Sequence, residues 1–259
     1  MKTKINHAGR ELGSKKLLAA VAVLAIAMSV FVGVAAYDEA DAADITYISG
    51  DIKDDFTVNP GIIAVINGNL NIKNGATFTV EPGATLTINE GVKVTVDGWK
   101  FVYETDGDGK VVVDENGNPV VKKDKDGNDV KKNASLAVDD GARAVIKGQL
   151  IVGEFGNAKI LSNFNEDDDK FYPGTFVYGT VTAQKGASIA IFAEVMKGGV
   201  IDVNSAGKKV SSIVGELVVM PDAVVNIAGQ VYSEEFEKAG LGIYACGEDL
   251  SKAKGPLRN

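Results

Sequence analysis

Between Leu70 and Val96 the apolar residues fall on even positions: Leu70, Ile72, Ala76, Phe78, Val80, Ala84, Leu86, Ile88, Val92, Val94 and Val96. The odd positions carry Asn69, Asn71, Thr77, Thr79, Thr85, Thr87, Lys93 and Thr95. Alternation at period two describes strands with one buried face and one wet face. Within this run "GATFTVEPGATLTI", Gly75 to Ile88, says nearly the same thing twice at a step of eight. An even step keeps each new strand facing the same way after its turn, and "KNG", "EPG" and "NEG" supply the turns. After residue 170 the apolar set moves to odd positions, Val181, Ile189, Ile191, Leu217, Val219, Val225 and Ile227. One connection there must have odd length.

The step belongs to a longer pattern. "GNLNIKNGATFTV" (68 to 80), "GTVTAQKGASIAI" (179 to 191) and "GELVVMPDAVVNI" (215 to 227) each join two alternating strands through Gly or Asp followed by Ala, and "ASLAVDDGARAVI" (134 to 146) is a fourth copy. Two architectures accommodate such strands. In a β-solenoid each strand stacks on its counterpart one coil later, and the inward residues form a continuous aliphatic column. In a sandwich or barrel the strands pair as antiparallel hairpins, for which Asn67-Gly68 and Asn74-Gly75 are signals. The repeated spacing favours the solenoid, and the small residues Ala76, Ala84, Ala142, Ala187 and Ala223 suit tight coil corners. The fold class expected is all-β: a β-solenoid, or parallel β-helix, of short repeated strands.

One segment breaks the pattern. Residues 99–133 bring in turn clusters at Asp106 to Gly109, Glu115 to Asn118 and Asp126 to Asn128, which predicts an inserted acidic β-meander with Trp99, Phe101 and Tyr103 at its base. Insertions on a solenoid often carry its binding face. Glu104, Asp106, Asp108, Gly109 and Glu115 match positions one, three, five, six and twelve of an EF-hand loop, with Val111 at the eighth. The first position should be Asp and neither flank looks helical, so these are read as acidic turn residues. Weak calcium binding there stays open.

Lys2, Lys4, Arg10, Lys15 and Lys16 precede the apolar run Leu17 to Val34, and Ala40-Asp41-Ala42 offers a small-x-small cleavage site. Residues 1–42 are therefore expected to be an export signal, with an uncleaved apolar anchor helix over Leu17 to Val34 as the second reading. The other expected divisions are solenoid at 43–98, the insert at 99–133, solenoid at 134–231, and a cap or tail at 232–259.

Composition narrows the chemistry. The formal charge of -8 and pI near 4.8 argue against nucleic acid, which needs clustered Lys and Arg. The lone Cys246 has no internal disulfide partner, and the single histidine, His7, sits in the signal. A chain without that signal has no histidine general base and no typical zinc site. Asn133-Ala134-Ser135 is a glycosylation sequon, read as lying on a surface loop. Asn165 to Lys170 offers paired carboxylates for sugar chemistry, but reads better as a solvated loop. Ser233 to Gly240 reads as a short terminal helix covering the last coil. No catalytic, cofactor-binding or metal-ligating set is assigned.

The signal followed by "GNLNIKNGATFTVEPGATLTINEGVKVTV" resembles the repeat style of adhesin-like β-solenoid proteins on prokaryotic cell surfaces, the long apolar signal pointing toward archaea. The resemblance spans roughly residues 60 to 98 and 134 to 231 and is generic to the architecture. It implies an exported, non-catalytic structural or adhesive module, extracellular or at the cell surface. The expected partner is an envelope glycan or surface protein, with membrane contact only through an uncleaved N-terminal segment. Open coil ends add self-association as a further expectation. A polysaccharide-binding or polysaccharide-degrading β-helix protein is the alternative, as is a membrane-anchored ectodomain.

Overall fold

The computed structural model describes residues 44–161, 163–165, 170–172, 174–206, 209–210, 212–228 and 241–245. All lie in the second of the two compact units into which the chain divides, Ala43–Asn259. The expected signal or anchor, the helix at 233 to 240, His7 and Cys246 lie outside the described residues.

One coil shows the plan. Thr77–Val80, Thr85–Ile88 and Lys93–Val96 form three successive sides, turned at residues 81–84 and 89–92. The next coil's Lys131–Val138, Arg143–Ile146 and Gln149–Val152 pair with them in parallel, setting Phe78 opposite Leu136, Leu86 opposite Ala144 and Val94 opposite Leu150. The three sides are faces A, B and C. Continued along the described residues, this stacking joins 18 strands in one sheet that is parallel except where Trp99–Phe101 runs antiparallel to residues 131–133. The architecture is a β-solenoid with three strands per coil, and parallel pairing excludes the sandwich of antiparallel hairpins. Two short antiparallel pairs, Asn163–Asn165 with Lys170–Tyr172 and Ser205–Ala206 with Lys209–Val210, stand apart from the sheet.

Inward residues stack in columns. On face B one column runs Ile48, Ile66, Ile88, Ile146, Val177, Val195 and Val219. Leu70, Val94, Leu150, Val181, Ile201 and Val225 do the same on face C. All eleven even-position residues of the 70–96 run are buried, none more than 8% exposed. Each large aliphatic side chain so buried is worth about 1.5–3 kcal/mol relative to exposure.

The corners explain the step of eight. Gly75, Gly83 and Gly91 each occupy the third position of a turn closed from the fourth residue's N–H, as in Ala84 N–H to Glu81 C=O at 2.9 Å. At Glu81 to Ala84, Pro82 precedes Gly83, whose φ of 81° is the left-handed value the third position of a type II turn requires. The corners also stack: Gly61 N–H donates to Gly83 C=O at 3.1 Å, and Gly83 N–H to Gly141 C=O at 2.9 Å. Ala76, Ala84, Ala142 and Ala187 follow these turns and are buried, while Ala223 is half-buried. The hairpin signals have other uses. Asn74 and Gly75, both at positive φ, turn the chain from face C to face A, and Asn67-Gly68 lies inside Ile62–Ile72, where one strand passes from face B to face C.

The thirteen-residue repeat is a corner unit rather than a coil. Copies 68 to 80 and 179 to 191 turn from C to A, copy 134 to 146 from A to B, and copy 215 to 227 from B to C. The change of parity is also located. Ala144 pairs with Thr175, Gln149 with Thr180 and Asn157 with Ser188, the same odd advance each time, whereas every other described advance is even. The odd segment falls between Ile160 and Thr175. Leu241–Ala245 adds a further rung against residues 215–219, within the stretch expected to be a cap or tail.

The insert is not an open meander but closes on itself. Val102 N–H donates to Val130 C=O, Val130 N–H to Lys122 C=O, and Lys122 N–H back to Val102 C=O. A second ring links Glu104, Val120 and Val112 in the same sense. Three hairpins thus surround half-buried Val102, Val112, Val120 and Val130, with turns opened by Asp106, Asp114 and Asp124.

Candidate interaction surface

Outward residues differ from face to face. Face A presents hydroxyl and small side chains broken by one amide and one cation: Thr77 and Thr79, then Ser135 and Ala137, then Asn157 and Lys159, then Ser188 and Ala190. Face C mixes amides, hydroxyls and charge with aliphatic side chains, Lys93 and Thr95 being followed by Gln149, Ile151, Thr180, Thr182, Val200, Asp202 and exposed Val224. The outward threonines of the early coils are where alternation puts them, but they do not stack into a continuous row.

Face B is different. Its outward column reads Tyr47, Val65, Thr87, Val145, Phe176, Glu194 and Val218. Beside it lie Arg143, two rungs before Glu194, and Phe192 opposite Glu216. The Arg143 guanidinium sits 4.9 Å from the Phe176 ring centre, a cation–π arrangement that fixes both groups. Tyr178, just past Thr175–Val177, is 37% exposed. Glu194 faces outward yet is only 9% exposed, and it makes no hydrogen bond or ion pair with any described residue.

Titration follows this packing. Burial pushes the Glu194 and Glu216 carboxyls above the ordinary carboxylate range. Burial and then the nearby Glu194 charge raise the Tyr178 hydroxyl, with Arg143 opposing. Elsewhere carboxylates shift the other way. Hydrogen bonds from Lys73 and Asn71 lower Asp51, and those from Lys132 and the Thr77 N–H lower Asp55.

The insert is anchored rather than loosely hung. Trp99 and Phe101 meet edge to face at 4.9 Å, with Lys131 Nζ 4.1 Å from the Trp99 ring centre. Tyr103, expected at the same base, is 41% exposed. Lys132 bridges to Asp55 at 2.8 Å, and Asp97 Oδ1 accepts N–H groups from Gly98 and Phe155. In the turns, Asp106, Asp114 and Asp124 each accept backbone N–H groups from two and four positions further on. The Asp106 carboxylate is thus used by its own hairpin, and Glu104 and Glu115 belong to different hairpins, which leaves the EF-hand pattern without an EF-hand loop. Among the described residues no three acidic, histidine or cysteine side chains gather as metal ligands. The sequon does not lie on a surface loop: Asn133 is half-buried inside Lys131–Val138, and Ala134 is fully buried. The side chains of Asn165 to Lys170 are outside the described residues.

The grouping on face B was missed because the outward row was read only from the first coils. Applying the later odd parity outward selects Phe176, Tyr178, Phe192, Glu194, Glu216 and Val218 together, so the signal was present. No family model, curated protein or solved structure matches the chain.

Proposed function

We propose that this chain is an exported, non-catalytic β-solenoid of the cell envelope, acting as a structural or adhesive module. The observation that supports this reading is the continuous ladder itself. Its coils are tied to one another through strands, inward columns and stacked corner turns, a stiff body whose long sides suit contact with an extended partner. The insert and face B interrupt that regularity and are its candidate contact surfaces. The basic residues, apolar run and small-residue site that precede Ala43 support export.

The test is the N-terminal mass of the protein from its native cells, separated into cytoplasmic, membrane, wall and medium fractions. A chain starting near Ala43 in wall or medium is the expected result. An intact N-terminus in the membrane makes it an anchored ectodomain, and recovery in the cytoplasm overturns the envelope reading.

A further inference from the structure

We infer that the outer side of face B, at Phe176, Tyr178, Glu194 and Glu216, is a binding site for a neutral, hydroxyl-rich glycan chain. The inference rests on the envelope reading for where such a chain would be met, and on the geometry of this face for everything else.

The starting point is Glu194. A carboxylate that loses most of its water without gaining hydrogen-bond donors from the protein is costly, and such a group asks for an explanation. Glu194 is nine-tenths buried between Phe176 on one rung and Val218 on the next, and no described residue donates to it. The column supplies shape but no donor. A ligand that covers this face must bring donors in place of the water that still reaches the Glu194 carboxylate, and sugar hydroxyls are donors in abundance.

The surroundings select among ligands. Phe176 is held under the Arg143 guanidinium, and Tyr178 stands exposed beside it. Aromatic rings offer apolar faces to the C–H faces of sugar rings, and the tyrosine hydroxyl adds a polar handle. Glu216 is the second carboxylate, two positions from Val218 along the next strand. Glu194 and Glu216 lie on the rungs after Phe176 and disfavour an acidic polysaccharide there, Arg143 and Lys147 lying in and just past the strand one rung before it. Rungs of the sheet repeat at about 4.8 Å, close to the advance of one sugar unit in an extended glycan, so a chain lying across the strands would meet Phe176, Glu194 and Val218 in register. A flat apolar face such as a second copy of this chain would instead leave Glu194 buried without donors.

The test uses the full chain and isothermal titration with neutral hexamers of β-linked glucose, mannose and N-acetylglucosamine, and with a hexamer of galacturonic acid. At least one neutral hexamer is expected to bind with a Kd below about 1 mM, and the acidic hexamer at least about tenfold more weakly. Glu194→Gln and Phe176→Ala should each weaken the neutral hexamer about tenfold, whereas Thr79→Ala on face A should leave it unchanged. Melting curves of each variant establish that the fold is retained, and Tyr178→Phe, which removes only the hydroxyl, serves if Phe176→Ala does not fold. Absence of binding by every neutral hexamer, binding indifferent to Glu194→Gln and Phe176→Ala, or a dimer in sedimentation that Phe176→Ala dissolves would overturn the proposal. A chain found in the wall or medium that binds no hexamer rejects this site and keeps the envelope reading. A cytoplasmic chain rejects that reading whatever the titration gives.

Discussion

Thr175 stands in the inward column of face B between Ala144 and Ala193, fully buried, and its Oγ1 has no hydrogen-bond partner among the described residues. Two flanking alanines leave room for its methyl but offer the hydroxyl nothing. A buried, unmatched hydroxyl costs about 1–3 kcal/mol. Thr175→Val removes it at nearly constant shape and should stabilise the protein by about that amount, read as a higher urea midpoint at unchanged slope. Glu194 has the opposite position, outward and charged. Its folded pKa is raised by burial, so the stability linked to it is fully present below the unfolded value of about 4.3 and is lost as pH rises through the raised folded value. Glu194→Gln should therefore melt higher than the native chain at pH 7 and lose that advantage by pH 4. Equal differences at both pH values would show that the carboxylate is not desolvated. A site that binds at the expense of stability has this signature.

At the scale of the corner, two glycines carry different constraints and predict different costs. Gly83 needs a positive φ but has space, its nearest neighbour being Pro60 Cβ at 3.7 Å. Gly179 has no positive φ, yet a β-carbon there would overlap the carbonyl oxygen of Gly148 one coil away. Gly83→Ala should cost about 1–2 kcal/mol of backbone strain. Gly179→Ala forces two coils apart and should cost more, at least the upper part of the roughly 1–3 kcal/mol typical of overpacking. Denaturant titration of both variants ranks them, and a larger loss at Gly83 would mean that coil spacing adapts readily. The difference marks what the sequence can tell. Positive φ was legible, because Gly after a Glu-Pro or Asn-Glu pair announces a turn. Close approach was not, because Gly179 looks like any strand-leading glycine until the neighbouring coil is known. Register shares that limit. Alternation from Leu70 to Val96 identified every inward residue, since burial depends on local parity. Which outward residues meet depends on the advance per coil, and the odd step that brings Phe176 between Val145 and Glu194 cannot be counted from repeats alone.

For the whole molecule, regularity and insertion are separable. The insert leaves after Gly98 and the chain resumes at Ala134, whose N–H donates to Gly98 C=O at 2.7 Å, so the two ends of the insert already touch. The following coil makes the same corner through Gly153, Glu154 and Phe155, which join Val152 to Gly156, and Gly156 is the register partner of Ala134. Replacing residues 99–133 by a single glycine leaves a connection of that same length, Asp97, Gly98 and the new glycine, between Val96 and Ala134. It also shortens the advance from Thr77 to Ser135 by an even number of positions, which preserves the parity of every inward residue. Nearest-neighbour stacking carries solenoid stability, so the shortened chain should fold, with the far-ultraviolet spectrum of a β-sheet and a cooperative melt. The internal rings of Val102, Lys122 and Val130 and of Glu104, Val112 and Val120 are lost with the insert, but no strand of faces A, B or C loses its partner. What goes is the packing at the base, including the Lys132 bridge to Asp55, an exposed pair worth less than about 1 kcal/mol. A shortened chain that fails to fold would mean that the three-hairpin insert, rather than the ladder, organises the middle coils. One that folds and still binds the neutral glycan would assign recognition to face B and leave the insert free for a separate contact.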